Sequence, residues 1–283
     1  MTNQRNRTVA PAVRFRDQRV LVTGAGSGIG EATALAFAAA GATVYCVDIN
    51  HEAAILTGKE CEAVGASAAT AFGVDVSDRT AMQTLAATVE ADGGALDVLV
   101  NNAGVGMTGY FLDGDLDDWD WILGINLLGV VHGCQYLGGP MVARGSGHVV
   151  NTSSALATMF RASEPHYVTT KAAVLALSRC LRADWAVHGV GVSAICPGVI
   201  ATPIIDGTRF TGDRRDAAAI DRTKKLFTRG HPPAKVAAAV LDAVVRNRPV
   251  VPVGFEAWAG LVAHRLLPSR IADVVNRQQL NGV

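Results

Sequence analysis

The chain has 283 residues, 49% of them hydrophobic and 18% charged, which supplies a substantial core and excludes a disordered protein. Its 25 basic residues match its 25 acidic ones, so charge gives no case for nucleic acid or for an acidic partner. The five cysteines, Cys46, Cys61, Cys134, Cys180 and Cys196, show neither a C-x-x-C pair nor metal-ligand spacing, so we expect free thiols, no metal site and a reducing, cytoplasmic setting.

Residues 1–16 carry Arg5, Arg7, Arg14 and Arg16 and no acid, and read as a flexible basic arm; no apolar stretch follows them, so no signal peptide is expected. From residue 17 to 254, short apolar runs alternate with helical stretches. Strands are predicted at 19–23, 43–47, 69–74, 97–101, 147–152, 190–195 and 249–253, and helices at 28–40, 51–64, 78–91, 116–138, 166–187 and 232–246. This alternation predicts a single-domain α/β fold of the Rossmann type, a doubly wound parallel sheet with helices on both faces. Continuous apolar runs are what strands covered on both sides require. In such sheets a ligand lies beyond the carboxyl ends of the strands.

After the first predicted strand comes Thr23-Gly24-Ala25-Gly26-Ser27-Gly28-Ile29-Gly30, then a helix. Glycines allow a tight turn and a close backbone approach, and the helix start offers free N–H donors to a pyrophosphate. Gly24, Ser27, Gly28, Ile29 and Gly30 are therefore candidate cofactor residues. The second strand ends at Asp48, 24 residues after Gly24. A carboxylate there accepts from both ribose hydroxyls and repels a 2′-phosphate, which selects NAD over NADP. A cap on the helix at 51–64 is the competing role, although Asn50 also suits it.

The third strand leads to Asp75 and Val76, where Asp75 would meet an adenine amino group or help Ser77 start the next helix. The fourth leads to Asn101-Asn102-Ala103-Gly104, of which Asn102, Ala103 and Gly104 leave room for a flat ring; a plain turn uses the same residues. Residues 121–143 hold no charged side chain and are long enough to span a bilayer, yet they contain Asn126, His132, Gln135, Pro140 and five glycines, so we read a helix buried within the domain. The amide of Asn126 must find partners there: a neighbouring main chain, or a water near Lys171.

The fifth strand ends in Asn151-Thr152-Ser153-Ser154. Thirteen residues after Ser154 comes Tyr167, and four later Lys171, so on a helix the two share a face. A tyrosine has an unperturbed pKa of about 10, and a nearby ammonium favours its phenolate. Tyr167 is thus a candidate general acid/base, and Ser154 a donor to the substrate oxygen.

Taken together, TGAGSGIG (23–30), Asp48, VDV (74–76), NNAG (101–104), Asn126, Ser154, YVTTK (167–171) and PGVIAT (197–202) resemble the short-chain dehydrogenase/reductase family, in its single-domain branch with a Tyr-x-x-x-Lys site. The resemblance covers roughly residues 15–203. It implies a catalytic tetrad of Asn126, Ser154, Tyr167 and Lys171, with Lys171 also holding the nicotinamide ribose. It implies that the main chain of Pro197, Gly198 and Ile200, with Thr202, positions the carboxamide and pyrophosphate. It also implies a homodimer or homotetramer. Many family members end soon after a seventh strand and a glycine pair; here PVVPVG (249–254) stands in that place and a longer tail follows.

The expected activity is hydride transfer between NAD(H) and a small-molecule alcohol or ketone. Residues 204–231 form either a lid over the substrate or a linker. A wall of Ala155, Leu156, Met159 and Phe160, with His166 beside it, suggests a bulky, lipophilic secondary alcohol or ketone. The C-terminal extension, 255–283, opens with an amphipathic stretch at 255–267, read first as a helix packed on the domain, then as a subunit contact, then as a membrane-surface helix. A ketoreductase acting on a carrier-bound 3-oxoacyl group and a non-catalytic NAD-sensing module are the alternatives. Asp48 argues against the first and the complete tetrad against the second.

Overall fold

The computed structural model describes residues 15–266. The expected basic arm up to residue 14 and the extension from 267 onward lie outside the described residues. Seven parallel strands form the main sheet: β1 (Arg19–Thr23), β2 (Thr43–Asp48), β3 (Ala68–Gly73), β4 (Val98–Asn101), β6 (Gly147–Thr152), β7 (Val190–Pro197) and β9 (Val250–Val253). Two short strands, β5 (Met107–Thr108) and β8 (Arg209–Phe210), pair beside the site. The main sheet runs in the order β3-β2-β1-β4-β6-β7-β9, the doubly wound arrangement expected from the sequence.

Strand alternation sorts the core into two layers. Val20, Val22, Val44 and Cys46 point to one face and pack with α1 (Gly28–Ala39), α2 (His51–Val64) and α7 (Pro233–Arg246). Leu21, Tyr45 and Val47 point to the other, against α3 (Arg79–Ala91), α4 (Leu116–Arg144) and α5 (Pro165–Trp185). The remaining helices are α6 (Ala217–Thr228) and α8 (Phe255–Leu266). The two edge strands depart from the covered-on-both-faces expectation: β3 is exposed or half-exposed along its length, and β9 alternates half-buried and buried residues.

Helix α4 runs six residues past its predicted end at 138, to Arg144. It is long and apolar enough to cross a membrane by composition, but half of its most apolar window is buried in the protein, where Val130, Cys134, Leu137 and Met141 join the second core layer. Two π-helical turns interrupt it, Gly124–Leu128 and Cys134–Gly138. Such turns break the regular register and re-aim side chains, here turning Asn126 inward. A buried polar relay ties the elements together: Asn101 Nδ2 donates to Asn151 Oδ1 (2.9 Å), and Asn151 Nδ2 donates to Ser178 Oγ on α5 (3.0 Å).

At the other end of the sheet, buried His148 on β6 contacts Ser193 Oγ on β7 (2.8 Å), and that hydroxyl donates to the Arg248 carbonyl just before β9 (2.5 Å). Burial, helped by the Arg182 charge, pushes the His148 imidazole down to about 4. The folded state therefore keeps it neutral while the unfolded chain protonates it near its ordinary value. Its contribution to stability is full above about pH 6.5 and is lost as the pH falls towards 4, by up to roughly 3 kcal/mol. Thermal unfolding followed at pH 7 and pH 5 should show a smaller drop for His148→Gln than for the native chain; equal drops would remove His148 as a cause of acid sensitivity.

Candidate active site

The loops leaving β1, β2, β3, β4, β6 and β7 open into one elongated cavity of about 900 Å³. On one side of it the loop after β1 turns through positive φ at Gly24 and Gly28 (66° and 57°). A Cβ on Gly30 would overlap the Gly24 carbonyl oxygen, so only glycine lets the loop close on the first turn of α1. Gly24, Ser27, Gly28 and Ile29 line the cavity; Gly30 does not, and its part is this packing.

Asp48 also lines the cavity, and its carboxylate is oriented from both sides. Oδ2 accepts from the Gly26 N–H (2.8 Å) and Oδ1 from the Asn50 N–H (2.9 Å). The cap of α2 is Asn50, whose side chain accepts from the Ala53 N–H (3.2 Å), so Asp48 is free of that duty. Asp75 lies on the wall with Val76 while accepting from the N–H and hydroxyl of Ser77 (2.8 and 2.7 Å); Asp78 caps α3 instead.

Beyond β4, Asn102, Ala103 and Gly104 line the middle of the cavity. Thr23 Oγ1 accepts from the N–H groups of Asn102 and Ala103 (both 3.0 Å), and Asn102 Nδ2 donates to the Thr23 carbonyl (3.0 Å). Asn126 does not line the cavity. Its Oδ1 accepts from the Val105 N–H (2.8 Å) while Nδ2 donates to the Val105 carbonyl (2.9 Å) and to Thr170 Oγ1 (3.2 Å). Of the two roles open to it in the sequence, the side chain fills the main-chain one: it pins the loop after β4 to α4 and α5.

Ser154, Tyr167 and Lys171 meet on the cavity wall. The Lys171 ammonium is 4% exposed, donates to the Thr152 carbonyl (3.1 Å) and lies 5.7 Å from the centre of the Tyr167 ring. Ser153 Oγ donates to the Lys171 carbonyl (2.7 Å), seating α5 against the end of β6. Burial pushes the Tyr167 phenol up to about 12, with the Ser154 hydroxyl pulling down and the Glu164 carboxylate pushing up. Burial also pushes Lys171 down to about 8. Desolvation is thus the largest influence on both groups and disfavours both charged forms, whereas the sequence pointed first to the Lys171 ammonium.

The wall facing these groups is partly as expected. Ala155, Leu156 and Met159 line it. Phe160 does not: it is 44% exposed and its ring stands edge-on to His264 on α8, 5.8 Å away. His166 is fully buried behind the wall, 4.3 Å from the Trp119 ring, with no hydrogen-bond partner for either nitrogen among the described residues. Residues 204–231 are not a linker but an ordered flap of short turns, β8 and α6, which covers the cavity with Ile204, Ile205, Thr208, Leu226 and Phe227. Arg209 fastens it: the guanidinium stacks 3.9 Å from the Trp121 ring centre and pairs with Asp118 (2.8 Å).

Sequence reasoning missed several lining residues. Trp121 opens the charge-free stretch and gave no sign of facing a ligand. Arg161 and Glu164, paired at 2.9 Å, also line the cavity and carry no motif that would single them out. Glu256 on α8 lies beyond the matched motifs, although its place inside an amphipathic stretch made it an odd charge. Its Oε1 accepts from the Val199 N–H (3.0 Å). Burial pushes its carboxyl up, but its own N–H, that of Val199 and nearby His231 outweigh this and hold it below the usual range. Pro197, Gly198, Val199, Ile200 and Thr202 complete the lining.

The chain is similar to known proteins over most of its length. Residues 18–211 match the family model described as short chain dehydrogenase. The probable oxidoreductase EphD of Mycobacterium tuberculosis is 43% identical over 267 residues, covering 92% of this chain and 45% of EphD, so the chain spans about half the length of that relative. The D-threitol dehydrogenase of Mycolicibacterium smegmatis is 36% identical over 249 residues, covering 85% of this chain and 91% of that one. Among solved structures, a short chain dehydrogenase/reductase from Burkholderia phymatum in complex with NAD superposes with a TM-score of 0.81 at 29% identity, covering 89% of this chain and 93% of the other. On sequence and on fold, the chain belongs to the short-chain dehydrogenase family.

Proposed function

We propose that this chain is an NAD-dependent dehydrogenase acting on a secondary alcohol or its ketone, with Tyr167 as the general acid/base. The observation that carries the reading is the convergence of Ser154, Tyr167 and Lys171 on one wall of a cavity whose far end is a glycine turn beside an oriented carboxylate. The residues fit the cofactor. The loop Gly24–Gly30 brings backbone close to the cavity at the start of α1, where free N–H groups suit a pyrophosphate. Asp48 would take the adenosine ribose hydroxyls and reject a 2′-phosphate. Asp75 and Val76 would flank the adenine, Asn102 to Gly104 the middle of the molecule, and Pro197, Gly198, Ile200 and Thr202 the nicotinamide. When bound, NAD supplies the hydride acceptor or donor.

The chain's own groups handle the proton. In oxidation Tyr167 Oη takes the hydroxyl proton of the alcohol, and in reduction it returns a proton to the ketone oxygen. Ser154 Oγ donates to the same oxygen and steadies the charge that develops on it. The Lys171 ammonium, held by the Thr152 carbonyl, faces the ring of Tyr167 and favours its phenolate whenever that form is reached. Asn126 ties the loop after β4 to α4 through its two bonds to Val105.

Substrate class rests on the opposite wall. Met107, Trp121, Leu156, Met159, Leu226 and Phe227 make it largely apolar, which favours a bulky, lipophilic substrate. That the similar M. smegmatis protein is a D-threitol dehydrogenase supports alcohol oxidation as the reaction class. The five free cysteines support a reducing compartment.

Tyr167→Phe should lower turnover by a factor of about 100 or more while NAD binding stays near that of the native chain, because only the titrating oxygen is lost. Absorbance at the reduced-nicotinamide band, read over a series of secondary alcohols, measures the first, and calorimetric titration the second; native turnover in the Phe variant would end the acid/base assignment. Asp48→Ala should weaken NAD by roughly tenfold and leave NADP unchanged or tighter. If both affinities moved together, the carboxylate would not be reading the ribose.

A further inference from the structure

The loop between β7 and the flap presents the cavity with a limited set of backbone donors, and nearly all are already used. The Gly198 N–H donates to the Val253 carbonyl (2.9 Å), that of Val199 to Glu256 Oε1 (3.0 Å) and that of Ala201 to the His231 carbonyl (2.9 Å). The Val199 carbonyl accepts from the His231 N–H (2.9 Å). Ile200 is buried and lines the cavity, and among the described residues its N–H is the one of these four without a partner.

Three of these anchors are main chain; the Glu256 carboxylate is the only side chain. It comes from α8, past the last strand, and it is packed directly against the loop: a Cβ on Gly198 would overlap Glu256 Oε1. Its second oxygen lies 3.7 Å from His231 Nε2, whose other ring nitrogen is 3.4 Å from Lys235 Nζ. The carboxylate is thus clamped between the loop it holds and a basic pair on the far side. Capping the first turn of α8 would not require contact with Val199.

We propose that Glu256 is a positioning residue for the nicotinamide end of the site: by accepting from Val199 it fixes the loop Pro197–Ile200 so that the Ile200 N–H faces the cavity as a ready donor to the carboxamide. This rests on the NAD reading above. It assigns a role in cofactor geometry to the segment after the seventh main-sheet strand, which lies past the part of the chain matched by the family model. An acceptor in the right place is what the role demands. A glutamine should therefore replace Glu256, whereas an alanine, or an aspartate one methylene too short, should not.

ADP-ribose separates loop positioning from general damage, since it carries the adenosine and pyrophosphate but no nicotinamide. Calorimetric titration of NADH and of ADP-ribose into the native chain and into Glu256→Ala, Glu256→Asp and Glu256→Gln tests the proposal. We expect the NADH dissociation constant to rise roughly tenfold in the Ala and Asp variants, with ADP-ribose unchanged, and the Gln variant to bind NADH like the native chain. Should the Ala variant not fold, the Asp variant carries the comparison. The proposal is overturned if NADH affinity is unchanged in the Ala and Asp variants, if both ligands weaken equally, or if the Gln variant is as weak as the Ala variant. Failure of the native chain to bind either ligand would instead remove the NAD reading itself.

Discussion

The cavity exists because two neighbouring strands part company. Strands β1 and β4 run side by side in register, Val22 opposite Val100, and one residue later the chain leaves β1 for α1 on one face while β4 leads towards α4 on the other. The split would expose backbone donors at the floor of the crevice. Thr23 closes it: its hydroxyl accepts from both Asn102 and Ala103, and Asn102 returns a bond to the Thr23 carbonyl. A buried hydroxyl that satisfies two N–H groups at a branch point fixes the crevice floor to within a bond length, and everything that lines the crevice is placed relative to it.

On that floor the electrostatics of the wall are set by desolvation. Tyr167 is pushed up and Lys171 down, so the folded protein holds a phenol and an amine that both resist their charged forms. A pair of this kind costs little when one proton is shared between neutral partners and more when both are charged. In the proposed reading, the positive charge of the oxidised cofactor is what tips the phenol towards release of its proton. The sequence correctly implied that Tyr167 and Lys171 share a face; it could not tell how deeply the fold would bury them, because burial is set by residues distant in the chain that close round α5.

Most of the fold was legible because its periodicities are clean. Apolar runs such as RVLVT and TVYCV became the two-faced strands β1 and β2, and the order of elements matched the order of runs. The motif residues were legible because each stands at a strand's carboxyl end, where the fold places its ligands. What escaped were features without local signature. Phe160 reads as pocket lining beside Met159, yet it turns out to meet His264 on a helix a hundred residues away. His166 flanks Tyr167 in sequence, but successive helical positions diverge by about 100°, and it faces Trp119 instead of the cavity. The end of α4 was placed too early because Gly138, Gly139 and Pro140 look like a stop. In the structure the π turn at Cys134–Gly138 lets the helix run through them.

The flap and the loop after β7 are parts of one continuous segment, Pro197 to His231, which is held at two places by different physics. Near its middle, Arg209 couples the flap to α4 by stacking on Trp121 and pairing with Asp118, backed by two strand bonds to Gly106 and Thr108. At its far end His231 returns to bond Val199 and Ala201, closing the segment into a loop. A rearrangement of the flap that moved His231 would therefore pull on the backbone of Val199 and Ala201, on either side of the Ile200 N–H. Glu256 braces that backbone from outside the segment. Its brace and the Arg209 latch reach different helices, α8 and α4, yet both bear on one segment, since the Glu256 carboxylate also lies 3.7 Å from His231. An aromatic ring and a carboxylate on α4 hold the flap, while a second carboxylate on α8 holds the loop after β7. Movement of the flap and placement of the loop after β7 are therefore coupled through His231.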